Sequence, residues 1–133
     1  TSSTRAMNIL LDSRKPFDVA VADLQRSVAT HGFSVLHVHA LSDTLAAKGH
    51  PIDKRLAVLE VCNAAVASQM LALDATISLA LPCRVAVFEH GDGTRLGTIA
   101  PTTILAGFQV GPAVDATASE VERTLRRILT DAA

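Results

Sequence analysis

The sequence predicts an α+β fold, a two-layer sandwich in which helices pack on one face of a mixed, largely antiparallel sheet. Three observations carry this. Short β-branched runs alternate with segments of helical periodicity in the order β-α-β-β-α-β-β-α. A Gly91-Asp92-Gly93 turn joins two strand-like runs and marks an antiparallel hairpin. The chain of 133 residues, 49% of them apolar, is long enough for one real core and too short for two.

Taken in order, residues 1–6 (TSSTRA) precede Met7 and read as a disordered or processing-derived leader, leaving residues 7–133 as a single domain. AMNILLD is a short first strand. Pro16 opens a helix where its missing N–H is tolerated, with Phe17, Val21, Leu24 and Val28 as its apolar stripe and Gly32 as its stop. FSVLHVHAL is a strand by alternation. Ser42 is expected to cap a helical turn that Gly49 ends, after which RLAVLEVC returns as a strand. Asn63 caps a helix with the stripe Val66, Met70 and Leu73. CRVAVFEH and TRLGTIA flank the hairpin turn, and residues 101–113 read as an apolar loop that covers something. The last helix presents Val114, Ala118, Val121, Leu125 and Ile128, with Thr117 to Glu120 as its capping box.

Composition removes several function classes. A net charge of −1 with scattered Lys and Arg leaves no electrostatic footprint for nucleic acid or an anionic membrane. Without Trp or Tyr, and with four Phe, the chain lacks flat rings for base stacking or sugar clefts. No apolar run approaches bilayer-spanning length and no signal pattern precedes the first strand, so a cytoplasmic protein is expected. The two cysteines, in a chain this apolar, fit a reducing compartment as free thiols or ligands. Were the strands at 56–62 and 83–89 parallel, those thiols would lie at opposite ends of the sheet and a disulfide would be excluded.

The residues that could carry chemistry cluster around two strands. If the strands at 33–40 and 55–62 pair antiparallel, alternation puts Phe33, Val35, His37 and His39 on one face, and Leu56, Val58, Glu60 and Cys62 on one face of the partner. One register makes His37, His39, Glu60 and Cys62 neighbours. His37, His39 and Cys62 could then ligate a transition metal such as Zn²⁺, and the wider ligand-contacting set takes in Asn63, Cys83 and Arg84. Cys62, just before a helix N-terminus, could be a thiolate nucleophile or redox thiol. Glu60, a carboxylate in an apolar strand, either faces water or has a raised pKa suited to a general base, with Arg84 as its expected ion partner.

The words HGFSVL, TLAAKG, RLAVLEVCNAAVASQML and LPCRVAVFEHGDG, in this order, together resemble the domain of unknown function 302 family. That family shows a GF-x-VL strand, a Cys-Asn pair before a helix (here Cys62 and Asn63) and Leu-Pro-Cys before a strand (here Leu81, Pro82 and Cys83). The resemblance runs from about residue 6 to residue 100 and continues less clearly beyond. It implies a two-layer α/β domain of small bacterial and archaeal proteins, commonly dimeric, and names no reaction. Where the family's strand after Val35-Leu36 runs to an aspartate, this chain has His39 and Ala40, which makes His39 a candidate for a specialised role.

The leading functional expectation is a homodimeric domain that binds a small ligand or metal ion on its helix-free sheet face near His37, His39, Glu60 and Cys62. An enzyme using Cys62, with a link to sulfur handling, or Glu60 with a nearby His is the second expectation. A purely structural interaction module is the third.

Overall fold

A computed structural model describes residues 8–108 and 111–133. The expected leader and Met7 lie outside the described residues, as do Gln109 and Val110 of the expected covering loop. Five strands, β1 (Asn8–Ser13), β2 (Ser34–His39), β3 (Leu56–Cys62), β4 (Cys83–His90) and β5 (Gly93–Ile99), form one sheet in the order β1-β5-β4-β3-β2. Every neighbouring pair is antiparallel. The expected α+β sandwich is therefore present, with a sheet that is antiparallel throughout rather than mixed.

Helices α1 (Phe17–Thr30) and α5 (Pro112–Ala132) pack on one face. Leu24 and Val28 of α1 and Leu125, Ile128 and Leu129 of α5 are fully buried against Leu59, Val61, Val85, Val87 and Leu96 of the sheet. Each such side chain contributes about 1.5–3 kcal/mol by leaving water. The two helices are also tied directly, since the buried Ser27 hydroxyl donates to the Ile128 carbonyl at 2.8 Å.

Helix α1 ends as expected. The Phe33 N–H donates to the Val28 carbonyl and the Gly32 N–H to that of Ala29, with Gly32 at φ +79°, a conformation that other residues adopt only under strain. The same double bond closes α2 (Leu41–Ala47) at Gly49. Ser42, however, lies inside α2 and caps nothing. Its hydroxyl donates to the Leu56 carbonyl and accepts from the Leu56 N–H, pinning the crossover to the start of β3.

Three further expectations are corrected by local geometry. Helix α3 (Ala64–Leu73) is capped by Asn63 as expected, but Leu73 at its end is 67% exposed. Asp74 there turns the chain into a 3₁₀ segment (Ala75–Leu79), and Ile77 takes the buried position. The segment 101–113 is not simply a loop: Pro101–Leu105 form a short helix, α4, and α5 begins at Pro112. Thr117 consequently sits within α5, where its hydroxyl donates to the Ala113 carbonyl instead of forming a capping box with Glu120.

Strand β2 holds the deviation that matters most for the site. Ser34 and Val35 pair with Cys62 and Val61, but His37 pairs with Glu60, so Leu36 is an extra residue in a β-bulge. The expected shared face of Phe33, Val35, His37 and His39 is split by that bulge. Phe33 and Val35 join the core, while His37 and His39 are exposed on the helix-free side.

Candidate functional site

On the helix-free face the bulge sets His37 directly opposite Glu60, and Glu60 stands opposite Arg84 on β4. His39 Nε2 lies 3.0 Å from Glu60 Oε2, and the His37 and His39 rings meet edge to face with centroids 4.3 Å apart. The hydrogen bond from His39 holds the Glu60 carboxyl below the ordinary glutamate range, partly opposed by desolvation and reinforced by the charges of His39, Arg84 and His37. Of the alternatives open for Glu60, the structure selects a stabilised carboxylate rather than a raised one. Its hydrogen-bonded partner is His39 rather than Arg84, which forms no ion pair within 4 Å among the described residues.

The rest of this face is an apolar strip. Leu10 pairs with Gly97, Gly97 with Ala86, Ala86 with Val58 and Val58 with His39, tracing one row across all five strands. Leu10 lies over Gly97 so closely that a Cβ there would clash with its Cδ2. Leu10 and Ile99 are about half exposed, at 49% and 46%. Beyond the row, Arg95 holds Asp12 through two contacts, at 2.6 and 3.2 Å. An open groove of about 470 Å³ runs past Leu79, Leu81, Arg84, Ile99 and Ile104.

A second feature lies at the end of the sheet. Because β3 and β4 are antiparallel, with Val61 opposite Cys83, Cys62 and Cys83 sit at the same end, and the parallel arrangement that would have separated them does not occur. Both thiols are free. They line a small apolar cleft of about 30 Å³ with Phe33, Met70, Leu81, Pro82, Pro101 and Leu105. The segment expected to cover something thus covers this cleft through α4. Burial raises the Cys62 thiol, and burial, with a smaller contribution from Cys62, pushes Cys83 up to about 11. Both directions run opposite to the lowered thiol expected of a nucleophile at a helix N-terminus, and desolvation is the leading cause.

The expected ligand set is therefore divided. His37, His39, Glu60 and Arg84 share the open face, whereas Cys62, Asn63 and Cys83 line the cleft, with Cys83 also bordering the groove beside Arg84. Among the described residues no group of three or more His, Cys, Asp or Glu side chains is placed to hold a metal ion, so the expected His37, His39 and Cys62 set is not assembled. Sequence reasoning missed Asp12 and Arg95, which only the β1–β5 pairing brings onto the same face. It placed Met70 in a core stripe without seeing that Met70 lines the same cleft as the two cysteines.

The family model described as "Domain of unknown function DUF302" matches residues 9–132. The chain belongs to the DUF302 family. The crystal structure of an uncharacterized conserved DUF302 protein from Bacillus stearothermophilus is similar to it, with 25% sequence identity, a TM-score of 0.88, and coverage of 96% of this chain and 98% of that one. No curated protein matches. The family resemblance and the sandwich fold read from the sequence are thus both shown, and membership in DUF302 assigns no reaction. No helix among the described residues is long and apolar enough to cross a membrane.

The lowered Glu60 pKa fixes a sign. Its stabilising interaction is present above the unfolded-state pKa of about 4.3 and is lost as pH falls through the folded value. Carboxyl NMR titration should place the Glu60 midpoint below that of an ordinary glutamate, and His39→Ala should move it upward. An ordinary midpoint that is indifferent to His39→Ala would show that the pair does not form in solution.

Proposed function

We propose that this DUF302 chain is a homodimeric binding domain whose helix-free face holds a small amphipathic carboxylate. The observation that carries the ligand reading is the position of Arg84, unpaired within 4 Å among the described residues, between the His37–Glu60 cluster and the apolar groove. Glu60 already serves His39, so Arg84 and His37 remain as donors for an anionic group. The groove's 470 Å³ falls within the size of small-molecule sites, and its Leu79, Ile99 and Ile104 suit an apolar tail.

Dimerisation rests on the uncovered strip of Leu10, Ala86 and Val58. Of its flanking charges, Asp12–Arg95 and His39–Glu60 pair within the chain, which leaves Arg84 as the unpaired charge beside the strip among the described residues. An enzyme built on Glu60 or Cys62 has less support. A base at neutral pH needs a raised carboxyl and a nucleophile a lowered thiol, and both shifts run the other way.

Titrating octanoate into ¹⁵N-labelled protein should shift the amides of Leu81, Arg84 and Ile99, and Arg84→Gln should weaken binding about tenfold or more, as loss of a charged hydrogen bond does. Shifts absent at millimolar octanoate, or unchanged in Arg84→Gln, would remove the ligand reading. Sedimentation velocity should give twice the chain mass, and Leu10→Lys should give the monomer. A monomer at every concentration in the unaltered protein would remove the dimer.

A further inference from the structure

Every sulfur-bearing side chain among the described residues, Cys62, Cys83 and Met70, lines the same cleft. They arrive from three separate elements: the last residue of β3, the first of β4 and the buried face of α3. Met70 is 3% exposed, and Cys83 is partly buried against the core. The space of about 30 Å³ has room for roughly one water-sized occupant, and all three sulfur-bearing residues are among its walls. No carboxylate or imidazole lines the cleft, and the one amide there, Asn63, spends its oxygen on the Val66 N–H.

We propose that Cys62, Cys83 and Met70 form an all-sulfur site for one soft monovalent cation, with Cu(I) as the ion that fits. Two thiolates and a thioether are the donors that select Cu(I) over harder ions, which want oxygen or nitrogen. Binding releases the two thiol protons and leaves a singly negative bis-thiolate complex, with the thioether as neutral third donor. The small volume rejects organic ligands, which need several hundred Å³. The apolar walls exclude water and oxygen donors. The cleft and the sheet-face groove share Leu81, Pro82 and Cys83 as walls, but Arg84 lines only the groove and Cys62 and Met70 line only the cleft, so Met70→Leu and Arg84→Gln test the two sites separately.

The test uses the reduced full chain under argon, with Cu(I) supplied from its bicinchoninate complex. The expected result is transfer of one Cu(I) per chain, with an X-ray absorption spectrum showing three sulfur neighbours and no nitrogen or oxygen shell. Met70→Leu, which keeps the volume, should fold by circular dichroism, bind more weakly and lose one sulfur scatterer. Cys62→Ser should lose stoichiometric binding. No transfer to the unaltered chain, a nitrogen- or oxygen-containing shell, or equal binding by Met70→Leu would overturn the proposal and return the three residues to plain core packing.

Discussion

Among the described residues, helices cover one face of the sheet, and the rest of the molecule follows from that constraint. Inward positions on β3, β4 and β5, such as Leu59, Val61, Val85, Val87 and Leu96, must be apolar because they meet α1 and α5. Strand β2 could not satisfy the rule by simple alternation. Phe33 and Val35 belong inside, yet strict period-two continuation would carry His37 and His39 inside with them, where two imidazoles would need partners that this core does not offer. The bulge at Leu36 resets the alternation, brings Val38 in opposite Leu59 and turns the histidines out toward Glu60. One extra residue thus separates core from polar cluster.

The antiparallel order has an equally local effect at the other end. Strands β3 and β4 run toward and away from the same edge, so the last residue of one and the first of the other are neighbours. Asn63 then starts α3, which brings Met70 to the same cleft, while Pro101 and Leu105 of α4 line its other walls. The molecule therefore presents two chemically opposite surroundings a few residues apart along β3. Around Glu60 the surface is polar and carries the His39–Glu60 hydrogen bond; around Cys62 it is apolar, narrow and rich in sulfur.

Much of this was legible in the sequence where a single residue type enforces a single geometry. Gly32 and Gly49 end helices because the left-handed turn there suits glycine, Asn63 caps because its side chain mimics the missing carbonyl, and the turn at Gly91-Asp92 dictates its hairpin. Ser42 and Thr117 were misleading because a hydroxyl serves equally well as a cap, a strand clamp or an i−4 donor, and only tertiary contacts decide. The site was half legible for a related reason. The meeting of His37, His39 and Glu60 was expected from an assumed register, whereas the structure reaches it through a bulge that leaves no compositional mark, and the meeting of Cys62 with Cys83 depended on a strand direction that periodicity does not encode.

The most direct test of the central claim, that a bulge in β2 places the histidines beside Glu60 on the open face, is the pattern of cross-strand backbone nuclear Overhauser effects between β2 and β3. The account predicts contacts of Val35 with Val61, His37 with Glu60 and Val38 with Leu59, and no paired partner for Leu36. Contacts of Leu36 with Glu60 and of His37 with Leu59 would mean an unbulged strand with inward histidines, and would contradict it.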